Sequence, residues 1–221
     1  MQKDPLRPYE LTEWRTRLRF LADIIFATAM TIMVLSIEVP GFGNLSGKEK
    51  VAPFLIEQLK NMWAFIISFL IVAIYWTKHL ELFGSVKVIN KTFIWLQLGF
   101  LAAVLLIPFW NTYLEQNPEN VAIRVGMSVN ILLVGGLSYF SLNYASNPKH
   151  YLLHEDVPKG IVRIYKREML TEPMLAILGA ALAFINPYLW DVAFLLIPVA
   201  FLIAEKLKKR KIREVLQTVN V

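Results

Sequence analysis

The chain has 221 residues, of which 56% are hydrophobic and 18% charged, and it contains no cysteine. With a mean hydropathy of +0.49, this balance excludes an ordinary soluble domain, which is less apolar and carries more charge. The missing thiols exclude disulfides, thiolate metal sites and cysteine nucleophiles. A formal net charge of +6 is accounted for by membrane topology and requires no nucleic-acid partner.

The N-terminal segment MQKDPLRPYELTEWRTRLRF is polar and lacks a signal-peptide pattern. The apolar run after it is too long for a signal h-region, so it is expected to remain as an anchor. Six runs approach the length a bilayer requires, near 19–38, 60–79, 92–113, 121–143, 170–187 and 189–205. The expected fold is therefore an all-α integral membrane protein, with residues 1–221 forming one six-helix unit.

The first run is the most informative. Arg15, Arg17 and Arg19 open it at alternate positions, Asp23 follows, and no further charge appears before Glu38 and Pro40. Thr28, Ile32 and Leu35 fall at i, i+4 and i+7 on a helix, with Thr31 beside them. Such a stripe suits a narrow water path, where hydroxyls replace part of an ion's hydration and alkyl groups close the path by dewetting. The plainer alternative is that each threonine bonds the carbonyl one turn back. Asp23 has two readings as well: a helix-end ion pair with Arg19, or a carboxylate holding this helix against its neighbours.

The second run ends in WTKHLELF, where Trp76 and His79 read as interfacial anchors. The fourth is more polar and carries Gly135-Gly136, which suits packing against protein. Arg124, early in that run, is expected to snorkel to the membrane surface. The loop 145–169 ends in IVRIYKRE, an amphipathic interfacial turn. The last two runs meet at Asn186-Pro187 and form a tight hairpin.

If the six spans alternate, nineteen of the twenty-three lysines and arginines fall on one side. By the positive-inside rule both termini are then cytoplasmic. The tail KLKKRKIR directly follows the last span and is suited to anionic lipid headgroups. There is no HExxH, GxSxG, P-loop or GxGxxG motif, so no enzyme, cofactor or resident metal is expected. VGGLSY at 134–139 lies inside a span and is no TVGYG-type filter. On residues alone, a channel, a secondary carrier and a non-conducting scaffold all stay open.

Residues 17–40 resemble the first helix of the transmembrane protein 175 family, the lysosomal potassium channels of animals and their prokaryotic relatives. The family signature RxxxFSD reads here as RLRFLAD at 17–23, with Arg17 and Asp23 matching and Ala22 replacing the serine. The likeness continues through IEVP, SFLIVAIYWTKHLELF and WLQLGFLAAVLLIPF, covering residues 15–110. It implies a homotetramer in a prokaryotic cell membrane, with the first helix of each subunit lining a central potassium-permeable pore. Thr28 and Thr31 would then form ion-selective rings, and Ile32 and Leu35 the hydrophobic gate. Arg17 and Asp23 would be held by Trp76 and His79 at the cytoplasmic end. The family usually has a bulky aliphatic residue where Thr28 stands, which moves the expected gate to Ile32 and Leu35.

Overall fold

The computed structural model describes residues 8–35 and 48–219, with side chains for 12–35, 62 and 65–215. Within these residues the chain forms α1 (Pro8–Leu35), α2 (Lys48–Ser85), α3 (Lys91–Gln116), α4 (Val121–Ala145), α5 (Lys159–Glu168), α6 (Thr171–Ala183) and α7 (Pro187–Val219). The only extended pairing among them is an isolated antiparallel bridge between Val86 and Leu153. The IEVP segment at 37–40 lies outside the described residues.

Local chemistry sets the helix ends. The Asn90 side chain accepts a hydrogen bond from the Phe93 N–H at 2.9 Å and caps α3. Asn120 does the same for α4 through the Ala122 N–H at 2.9 Å. Between α6 and α7, the Asn186 side chain accepts from the Tyr188 N–H at 2.8 Å, so the hairpin turns where the Asn-Pro pair sits. The IVRIYKRE stretch is α5, a short amphipathic helix.

Five of the described helices are long and apolar enough to cross a membrane: Thr12–Leu35, Phe65–Ser85, Lys91–Gln116, Val121–Ala145 and Pro187–Val215. The run at 170–187 is different. Its helix, α6, has 13 residues, about 20 Å at the α-helical rise against a hydrocarbon core of about 30 Å. Turn residues at both of its ends take up the rest of the run.

Helix α4 sits at the centre, packed on α3 at one side and α6 at the other, while α6 pairs with α7. Gly135 is what lets α4 and α6 approach. A Cβ there would stand 2.3 Å from Pro173 Cγ and 3.2 Å from the Tyr75 hydroxyl, whereas one at Gly136 would meet nothing within 4 Å. Several polar groups in this core are paired, two of them across helices. Ser68 donates to Asn111 at 2.7 Å, Asn111 to Glu115 at 2.7 Å, and Asn130 to the Ala103 carbonyl at 3.1 Å.

Arg124 corrects the sequence-based expectation. It does not snorkel outward but is 3% exposed. It donates to both Asp191 carboxylate oxygens, at 3.1 and 3.2 Å, and to the Pro118 carbonyl, and its guanidinium lies 5.4 Å from the Trp190 ring centroid. Asp191, in the second turn of α7, is the partner that offsets the cost of burying this charge.

The opposite end of the bundle carries the basic residues. Lys78 of α2, 2% exposed, donates to both Glu172 oxygens at 2.6 and 2.7 Å and to the Glu168 carbonyl at 3.0 Å. Lys208 of α7 pairs with Glu81 of α2 at 2.6 Å, Glu168 of α5 at 3.2 Å, and Glu205 one turn back. Burial pushes the Glu168 carboxyl above the usual carboxylate range, against the pull of Lys78 and Lys208. At the same end Arg15 of α1 donates to the Phe83 carbonyl at 2.9 Å. The start of α1 and the C-terminal turns of α7 thus meet the same end of α2.

Two stability outcomes follow. Glu172→Gln leaves a buried ammonium without its carboxylate and is expected to cost about 3–5 kcal/mol, read as a lower thermal midpoint in detergent. The double change Lys78→Met, Glu172→Leu should recover more than half of that loss; an equal loss would assign the cost to packing instead. Gly135→Ala is expected to cost about 1–3 kcal/mol from overpacking, while Gly136→Ala should stay near wild type. Equal midpoints for the two alanine variants would refute the close approach of Pro173.

Candidate functional site

Helix α1 has two unlike faces. Leu18, Ala22, Phe26, Ala29 and Met33 are buried at spacings of four, four, three and four, a single stripe that packs on α2 and α3. Ala22 is fully buried within it, so the methyl that replaces the resemblance's serine serves packing.

The other face is uncovered by the described residues. Thr28, Thr31, Ile32 and Leu35 are all exposed, Ile32 at 44% and Leu35 at 78%. Ile24 shares this face, at 63% exposure, and was not singled out from the sequence. The signal for it was the same spacing run backwards, because Ile24 stands four residues before Thr28. Thr31 also makes the plainer bond: its hydroxyl donates to the Ala27 carbonyl at 2.7 Å. The two readings of the threonine are compatible, since a hydroxyl has one proton to donate and two lone pairs left over.

At the basic end, three of the four expected anchoring residues come together on the α1–α2 seam. The Trp76 indole N–H donates to Asp23 Oδ1 at 3.0 Å. His79, one turn further along α2, is 2% exposed. Its ring lies 4.4 Å from Phe83, 5.7 Å from Phe26 and 5.8 Å from Phe100, centroid to centroid. Neither His79 ring nitrogen has a hydrogen-bond partner. It is a member of an aromatic cluster, not an interfacial anchor.

Arg17 is elsewhere. It pairs with Glu13 one turn back at 2.6 Å, and both side chains are largely exposed. Of the contacts implied by the resemblance, Trp76 holds Asp23 while Arg17 pairs with Glu13 instead, and no ion pair joins Arg19 to Asp23. Among the described residues no three His, Cys, Asp or Glu side chains gather to hold a metal ion.

These features define an all-helical, multi-pass membrane protein whose first helix has a hydroxyl-bearing face that the described residues leave uncovered. The family model described as "Endosomal/lysosomal potassium channel TMEM175" matches residues 17–108, from Arg17 of α1 to Pro108 of α3. A protein from Chryseobacterium sp. (strain P1-3), named a potassium channel, is 26% identical over 90% of this chain and 97% of its own length. Another so named, from Chamaesiphon minutus, is 26% identical over 78% of this chain and 86% of its own. Among solved structures, a crystal structure titled as a lysosomal potassium-selective channel TMEM175 homolog from Chamaesiphon minutus superposes with a TM-score of 0.69. It has 21% identity and covers 86% of this chain and 97% of that one. The family match thus spans the first three helices, and the fold is shared with the solved homolog.

The Trp76–Asp23 bond gives a test of the seam. A hydrogen bond to a charged group is worth about 1.5–3 kcal/mol when buried, and partial exposure of this one lowers the expected cost of Trp76→Phe to about 1 kcal/mol. Asp23→Asn keeps an acceptor oxygen and should cost less. Thermal unfolding of both variants checks the order, and a neutral Trp76→Phe would show that packing alone holds α1 in place.

Proposed function

We propose that the chain is the subunit of a potassium-permeable cation channel, a homotetramer in which α1 of each copy lines a central pore. The observation that carries this reading is the uncovered hydroxyl-bearing stripe of α1, within the segment matched by the potassium channel family. In lipid the threonine oxygens have no partner beyond a bond back to the helix, such as Thr31 to Ala27; around a shared axis they face water and ions.

Thr28 and Thr31 contribute rings of hydroxyl oxygen, and Ile32 with Leu35 forms the constriction toward the far end. Because Thr31 spends its proton on the Ala27 carbonyl, its remaining lone pairs are directed to the permeant ion, which suits a cation and not an anion. Four hydroxyls replace only part of an ion's hydration. The preference for potassium over sodium is accordingly modest, and no TVGYG filter or resident cofactor takes part. Asp23 and Trp76 hold the cytoplasmic end of α1 against α2. The termini lie in the cytoplasm of a cell whose plasma membrane the protein spans, and the basic tail rests on anionic headgroups.

Potassium flux from liposomes holding the purified protein tests this reading beside the double change Ile32→Asn, Leu35→Asn. Flux in the wild type, raised several-fold by the double change, is the expected result. Folded protein with no flux in either form would remove the channel reading. Thr31→Ala is expected to lower the potassium-to-sodium preference, and a variant that kept it in full would take the threonine ring out of selectivity.

A further inference from the structure

The basic residues at the cytoplasmic end are not all alike. Lys78 and Lys208 are buried and committed to carboxylates. Lys209 and Arg210 pair with Glu205 and Glu214 along α7. Arg163 and Arg167, one turn apart on α5, and Lys211 on α7 are exposed, and no carboxylate among the described residues lies in ion-pair distance of any of them.

These three cations converge on a cavity of about 220 Å³ between α5 and α7, about seven times a water molecule's share of liquid volume. Lys208 forms its inner wall beside Glu168, whose charge Lys208 already answers. The lining therefore holds four cations against one carboxylate. Its remaining walls are largely apolar and include Leu207. Leu207 is 51% exposed and continues the uncovered stripe of Leu202 and Ile203 on α7, at 63% and 57%. The site thus has a cationic mouth and an alkyl ramp leading into the bilayer.

We propose that this α5–α7 cavity binds the headgroup of an anionic phospholipid, with its acyl chain laid along α7. The two guanidiniums provide forked donors for phosphodiester oxygens, Lys211 adds a point charge, and the apolar ramp distinguishes a lipid from a free phosphate. Basic pockets between membrane helices on the cytoplasmic side hold headgroups in this way. The assignment rests on the bilayer setting of the proposed function but not on conduction. It places one lipid at a defined site, apart from the diffuse attraction of the tail. Through Lys208 and Glu81 the site is in direct contact with α2, the helix whose Trp76 holds α1.

The test uses the full chain in nanodiscs of phosphatidylcholine with increasing phosphatidylglycerol, read by native mass spectrometry for retained lipid and by thermal midpoint. The triple change Arg163→Gln, Arg167→Gln, Lys211→Gln is expected to weaken phosphatidylglycerol retention at least about tenfold. The charge-matched control Lys91→Gln, Lys149→Gln, Lys159→Gln, at exposed lysines outside both the cavity and the tail, should change it less than about twofold. Equal weakening by the two triples would overturn the proposal in favour of diffuse attraction. Inorganic phosphate that stabilised the protein in pure phosphatidylcholine as well as phosphatidylglycerol does would overturn the lipid assignment. All three side chains are exposed, so the variant's midpoint in pure phosphatidylcholine should match wild type. If it does not, the single Arg167→Gln set against Lys149→Gln makes the same comparison. Because flux is not read, failure here leaves the channel reading standing, and a silent channel leaves this site standing.

Discussion

Helix α1 is gripped from one side. Its buried stripe alternates large and small residues, with Phe26 set between Ala22 and Ala29, so that α2 and α3 can approach its backbone closely while one aromatic ring fills the gap. Phe26 in turn meets His79 and Phe100, which draws three helices onto a single aromatic cluster. That grip uses up less than half of the helix circumference, and the hydroxyl-bearing face is left outside. Everything proposed about conduction depends on this division, because a helix wrapped by its own chain has no face to offer an axis.

The basic end is organised by a different force. Two lysines that a sequence reader counts as cytoplasmic charge, Lys78 and Lys208, are withdrawn from water and held by glutamates of α2, α5, α6 and α7. Taking such groups out of water is costly, and the attraction between them repays it only with close, multiple contacts. Lys78 has three oxygens within 3.0 Å, and Lys208 has three carboxylate partners. The network ties α7 and α5 to α2, and α2 to α1 through Trp76 and Asp23. What remains exposed on α5 and α7 is positive because the carboxylates nearby are already engaged.

Much of this was legible in the sequence. The helices α1 to α4, the α5 amphipath and the Asn186-Pro187 hairpin follow from run lengths, turn residues and hydrophobic spacing, which are local properties. The stripe of Thr28, Thr31, Ile32 and Leu35 was visible for the same reason. Failures came where the answer depends on a partner far along the chain. Arg124 looked like a snorkelling residue until Asp191, 67 residues later, came to lie beside it. His79 looked like an interfacial anchor, but its surroundings are set by Phe26 and Phe100 on other helices. Lys78 and Glu172 carried no mark of being a pair. The short α6 was misjudged because hydropathy counts the apolar turn residues on either side of a helix as part of it.

Exposure by itself argues little for the pore face. In a bilayer Ile24, Ile32 and Leu35 meet lipid tails as readily as they would meet another subunit, since the surrounding medium is as apolar as they are. The hydroxyls on the same face are the discriminating groups, together with the Arg17–Glu13 pair at its N-terminal end. A face that carries an ion pair, Ile24, two threonines and then Ile32 and Leu35 matches neither uniform lipid nor bulk water. The proposed pore takes it as a path whose hydroxyls give way to a dry constriction at Ile32 and Leu35. Those hydroxyls, more than the number of uncovered apolar residues, are why α1 is proposed as the wall of a pore and not as a lipid-facing helix.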